Sequence, residues 1–166
     1  FSIFAKRKVL LLMMDSTNVD RLGFSISERV VLDTLEDFIT NTKGRIIIAT
    51  FASQLERLIH VVRVSEAVGR KIVVSGRALR TNLDIARNLG LLNFKDGSFV
   101  PEESMNEYPP EKLIVLATGA QGDEFASLMR IAQKTHKYVS LTPKDTIILS
   151  SSVIPGNERA VQKMKD

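Results

Sequence analysis

Short apolar runs alternate with amphipathic stretches along this chain, and that rhythm limits the fold more than any other feature. The runs are "KVLLLMM" (8–14), "RIIIAT" (45–50), "KIVVS" (71–75), "LIVLAT" (113–118), "KYVSL" (137–141) and "TIILSS" (146–151). Nearly uninterrupted apolar runs of this length suit strands covered on both faces. Between them, Val31, Leu35, Phe38 and Ile39 fall on one helical face, and Leu55, Leu58, Ile59 and Val62 on another. Ser25-Ile26-Ser27-Glu28 and Ser53-Gln54-Leu55-Glu56 have capping-box spacing, each predicting a helix start. Gly90 sits where a left-handed helix cap is expected, Glu124–Gln133 reads as a helix, and "IPGNERAVQKMKD" opens a last one. Residues 93–112 break the rhythm as an excursion loop, with room for one short edge strand and a Pro109-Pro110 pair that bars a helix. The pattern predicts an α/β fold: a three-layer domain with a mainly parallel sheet and helices on both faces.

In open α/β sheets, ligands bind beyond the carboxyl ends of the strands. The turns there read "DSTN" (15–18), "TFAS" (50–53), "SGRA" (75–78), "TGAQG" (118–122) and "SSSVIPGN" (150–157). They offer hydroxyls and bare backbone N–H groups, the parts that hold phosphate oxygens, and Arg77 adds a full positive charge. Ser16, Asn18, Ser53 and Arg77 are therefore candidate binding residues. The same residue types are preferred at helix caps for structural reasons alone, so each single turn has two readings. What favours binding is that the fold gathers the turns onto one edge. No Walker loop and no G-x-G-x-x-G occurs, which disfavours a mononucleotide enzyme of either type.

The catalytic inventory is thin. Both histidines, His60 and His136, lack a metal-ligand spacing; His60 reads as a solvated residue and His136 as a helix-end imidazolium. A nucleophilic serine served by a histidine stays open, without a G-x-S-x-G to support it. Glu102, Glu103 and Glu107 read as a solvated acidic rim. Asp15 ends an apolar run: it is either a turn cap or a carboxylate that orients an imidazole supplied from elsewhere. Without cysteine, neither a disulfide nor a thiolate metal site is possible. The net charge of +4 suits a polyanionic partner without demanding one. No apolar run approaches the ~20 residues of a membrane span, so the cytoplasm is the expected compartment. The start at Phe1, without Met, leads us to expect a piece of a longer protein.

"DSTNVDRLGFSISE", "GRIIIATFASQLERL", "GRKIVVSGRALRTN", "LATGAQGDEFASLMRIA" and "DTIILSSSVIPGNE" occur in the order and spacing seen in ribonuclease J. The chain resembles the β-CASP domain that this family carries inside a metallo-β-lactamase fold. The resemblance implies that residues 1–14 hold a flanking strand from the junction with that second domain. Residues 15–166 would be a Rossmann-like β-CASP domain with its last helix cut short. It implies a parent that is a two-zinc RNA hydrolase, an endonuclease and 5′-to-3′ exonuclease of RNA processing and decay. The H-x-H-x-D-H and H-x-S-G-H motifs that hold or flank the zinc ions are absent here. So the expectation is no metal ligand and no cofactor in this chain, and no hydrolysis by it alone. The implied partners are RNA, the metallo-β-lactamase domain of the same chain and a second copy of the parent, with no membrane.

By the same resemblance, Asp15 positions a histidine that this chain lacks. Gly119, Gln121 and Gly122 match the T-G-S-Q-G loop lining the RNA 5′-phosphate region, and Ser150, Ser151, Ser152, Gly156 and Asn157 match a loop on the same edge. Ala120 stands where the family usually has serine, which predicts a weaker phosphate grip through loss of a hydroxyl donor. Asp123-Glu124 replaces Glu-Pro and Glu56 a histidine, making the edge more acidic. Two other readings compete: a free-standing nucleotide or phosphate-ligand module, and a dimerisation scaffold for the parent. DNA-processing relatives are disfavoured by "TGAQG" and "IPGNE".

Overall fold

The structure is a computed structural model and describes the chain apart from residues 1–3, 5, 8, 17, 18 and 21. Its sheet has four parallel strands, β1 (Ile46–Ala49), β2 (Lys71–Ser75), β3 (Leu113–Ala117) and β4 (Thr146–Leu149), in the order β2-β3-β1-β4. The helices are α1 (Glu28–Asn41), α2 (Leu55–Ala67), α3 (Arg77–Asn88), α4 (Ser127–Ala132) and α5 (Glu158–Lys165). Each strand is apolar on both faces because each face is covered. Ile46, Ile48, Ile72, Val74, Ile114 and Leu116 pack under α1, α2 and α3. Ile47, Ala49, Val73, Val115 and Ala117 pack under α4, α5 and Met105. The period-2 alternation of the strands thus splits one sheet between two cores, which makes the three layers.

Two apolar runs lie outside the four-stranded sheet. Residues 9–14 join no strand, and Leu10, Leu11, Met13 and Met14 are exposed; Lys8 lies outside the described residues. An apolar run signals burial, but pairing needs a neighbouring strand edge, and this run meets none among the described residues. "KYVSL" is irregular: Val139 is buried in the second core, while the N–H groups of Tyr138 and Val139 turn to the His136 ring instead of a ladder. The excursion loop does reach the sheet edge at one position, Phe99, which bridges Ile72. It also holds two 3₁₀ helices, Glu102–Glu107 and Pro110–Lys112. The second corrects the expectation that Pro109-Pro110 bars any helix, because proline is tolerated at a first helical position, where no N–H is needed.

Neither capping box forms. α1 begins after Ser27, and α2 after Gln54, with no side-chain cap at either. The Glu28 carboxylate is captured instead by Arg57 of α2, in a two-pronged pair at 2.8 and 2.7 Å. α4 starts three residues later than expected, because residues 119–126 form two successive turns, closed by Gly122 N–H to Gly119 O and Ala126 N–H to Asp123 O. Among the described residues, no helix is long and apolar enough to cross a membrane.

Candidate functional site

Because the strands are parallel and in register, Ser75, Ala117, Ala49 and Leu149 end in one row. The four turns that follow share the carboxyl edge of the sheet, as the sequence predicts. Asp15 and Ser16 are exposed and precede α1 without ending a strand of the sheet, and Asn18 lies outside the described residues.

On the β4 side, the polar groups of the edge bond to one another. Gln121 is buried, and its amide joins two loops. Its Nε2 donates to Ser152 O at 2.8 Å and to Ser151 Oγ at 3.2 Å. Its Oε1 accepts from Ile154 N–H at 2.8 Å and from Asn157 Nδ2 at 3.4 Å. Ser150 is buried; its carbonyl accepts from Thr50 Oγ1 and Arg57 Nη1. Arg57 thereby ties α1, through Glu28, to the turn after β4. The same guanidinium holds the Glu28 carboxyl below its ordinary value of 4.5. Gly122 has φ +76°, and a Cβ there would lie 2.4 Å from the Ala160 backbone, so only glycine lets this loop rest against α5. Gly119 is buried beneath the same turn, and Gly156 sits on the exposed part of the neighbouring loop.

Ala120 lies inside the fold. It is 4% exposed and belongs to the second core with Leu128 and Val161. Its burial among apolar residues gives the alanine a packing role.

On the β2 side, a cleft of about 820 Å³ opens between the turns after β2 and β3. Its lining includes Arg77, Arg80, Arg130, Thr118, Ser127 and Phe125. Gly76 makes the close approach of the two turns possible: with φ +138°, its missing Cβ would lie 2.5 Å from the Thr118 side chain. Arg80 is engaged, bonding Val74 O at 3.0 and 2.8 Å and the Glu102 carboxylate at 2.7 Å. Arg77 and Arg130 are exposed and form no ion pair among the described residues. The cleft therefore carries uncompensated positive charge in an open, hydroxyl-lined setting, which suits an anion. Ser53 is exposed on the turn after β1, outside this lining.

His136 contacts two residues of this lining, Ser75 and Glu102. Its Nδ1 accepts N–H bonds from Tyr138 at 3.3 Å and Val139 at 3.1 Å, so the proton sits on Nε2. Nε2 in turn lies 2.9 Å from Ser75 Oγ and 3.6 Å from a Glu102 oxygen. A ring in this tautomer donates to Ser75 and cannot take its proton, which removes the serine-nucleophile reading for this pair. Burial, partly opposed by Glu102 and joined by Arg130, lowers the His136 pKa from 6.5, so the expected helix-end imidazolium is a neutral ring. Glu102 is drawn inward by Arg80 and is no part of a solvated rim, unlike the exposed Glu103 and Glu107. His60 is half-buried rather than solvated, with Nε2 3.5 Å from Glu36. Arg57, Arg130, Phe125 and the His136–Glu102 contact were not singled out from the sequence. Arg130 and Phe125 flank the motif loop; Arg57 and His136 find partners far along the chain.

Among the described residues, no group of three or more His, Cys, Asp or Glu side chains could hold a metal ion.

Residues 43–166 match the family model for the β-CASP domain of ribonuclease J. The chain is 40% identical to ribonuclease J of Thermus thermophilus over 156 residues, 94% of this chain and 27% of that protein. It is 36% identical to ribonuclease J2 of Bacillus subtilis, over 95% of this chain and 28% of that protein. Against a ribonuclease J of Helicobacter pylori the identity is 34%, over 95% of this chain and 23% of that protein. The chain thus spans roughly a quarter of the length of these relatives. It belongs to the ribonuclease J family, in the portion that forms the β-CASP domain.

Proposed function

We propose that this chain is the RNA-holding β-CASP portion of a ribonuclease J-type RNA hydrolase. The observation that carries this reading is the cleft at the sheet's carboxyl edge, where Arg77 and Arg130 stand uncompensated beside the hydroxyls of Thr118 and Ser127. Charge-assisted bonds from arginine to phosphate oxygens are strong and geometrically selective. The chain's share in the reaction is orientation: it holds the backbone of the RNA so that a scissile bond meets a reacting centre in another domain of the same parent. The zinc ions of the parent belong to that other domain. Asp15 serves there by orienting a histidine outside this chain, and residues 1–14 lead in from the junction. A second copy of the parent and a cytoplasmic setting complete the reading.

In this reading Gln121, through its bonds to Ser151, Ser152 and Asn157, holds the loops in shape, and the charged contacts to RNA come from the arginine side. Fluorescence anisotropy of labelled single-stranded RNA tests the reading. Residues 1–166 should bind RNA with strong salt dependence and leave it uncut in zinc-containing buffer, while the complete protein cuts it. RNA affinity that is absent at low salt, or robust cleavage by residues 1–166, would overturn it.

A further inference from the structure

We propose that Phe125 is a stacking platform for an unpaired RNA base, so that the arginine cleft accepts a whole nucleotide rather than a bare phosphate. This rests on the RNA-holding reading above. Phe125 is 87% exposed and lines the same cleft as Arg77 and Arg130. The ring stands on a fixed support. Its turn is closed by Ala126 N–H to Asp123 O at 3.0 Å, and the chain beyond it is pinned by Leu128 N–H to Thr118 O at 2.9 Å. Gly122, lodged against the Ala160 backbone, anchors the other end. A ring carried on a fixed backbone, with only two side-chain torsions, loses little freedom when a base stacks on it, and every base offers a π-face.

The surroundings favour a nucleotide over an apolar protein contact. Besides Phe125, the lining consists of arginines, small residues, hydroxyls, Asn82 and the Glu102 that Arg80 neutralises. Among the described residues, no second large apolar side chain stands beside the ring in the cleft. Asp123 and Glu124, on the same turn, are exposed but do not line it. Arg77 and Arg130 are left to hold the phosphate, and a space of about 820 Å³ is ample for a nucleotide.

The test uses the complete protein that carries this chain, with labelled single-stranded RNA and a matched set bearing one abasic site at successive positions. Phe125→Leu should weaken binding of intact RNA by about tenfold, and Phe125→Tyr should stay within about twofold of the original. One abasic position should weaken binding to the unaltered protein but leave Phe125→Leu unaffected, because base and ring are lost together. Unchanged affinity in Phe125→Leu, while Arg77→Ala weakens binding, would overturn the stacking role and leave the RNA-holding reading standing. Weaker binding in Phe125→Leu with no abasic coupling, accompanied by altered sedimentation, would overturn it in favour of a protein contact. Absence of RNA binding by the unaltered protein would remove both.

Discussion

Along the carboxyl edge, two neighbouring regions treat their polar groups in opposite ways. On the β4 side, Gln121 from the turn after β3 bonds Ser151, Ser152, Ile154 and Asn157, and Arg57 joins Ser150 to Glu28. On the β2 side, Arg77 of the turn after β2 and Arg130 of α4 face an open cleft with no ion-pair partner among the described residues. A polar group whose bonds are satisfied within the fold specifies a loop shape. A charge kept exposed at a cleft is available to a ligand. The residues that make the loops recognisable are therefore largely those that build the edge, and the contacting chemistry stands beside them.

The sharpest way to break this contrast is Gly122→Ala. The substitution needs a positive φ and drives a Cβ into the α5 backbone, so a loss of about 4 kcal/mol is expected, read as a fall in the urea midpoint. Gln121→Leu should cost about 3 kcal/mol by leaving buried partners in two loops unsatisfied. If Gln121→Leu kept full stability and lost only RNA affinity, the β4 side would be a binding surface and the contrast would fail. Arg77→Ala should do the reverse: stability within about 0.5 kcal/mol of the original, with RNA affinity several-fold lower at low salt. The smallest effect concerns His136. Its folded-state pKa is lowered from 6.5, so the neutral ring contributes stability that is present above 6.5 and is lost as pH falls through the folded value. Urea titrations at a series of pH values should show that acid-side decline in the original chain and a flatter curve in His136→Gln.

The layers and the edge were legible because they follow from periodicity. Uniform apolar runs marked β1 to β4, and Leu35, Ile39, Leu58 and Val62 marked the buried helical faces. What periodicity does not encode is the partner. Residues 9–14 and 137–141 are as apolar as true strands, yet one finds no sheet edge and the other gives N–H groups to His136. The capping boxes failed for a similar reason: Glu28 has a stronger partner in Arg57, 29 residues away, than the local backbone offers. Within the site, Arg77 was legible from its turn. Phe125 was not, because a lone phenylalanine beside an amphipathic run reads as core until its exposure is seen. The burial of Ala120 in the second core was likewise hidden, because a small residue in a turn carries no periodicity.

The central claim is that the charged contacts to RNA lie on the β2 side. It is tested most directly by the salt dependence of single-stranded RNA binding, compared between the complete protein and its Arg77→Ala/Arg130→Ala double variant. If both arginines neutralise phosphates, the slope of log affinity against log salt should become shallower by about 1.4 in the double variant. An unchanged slope, with affinity preserved, would contradict the claim and return the phosphate contacts to the loops after β3 and β4.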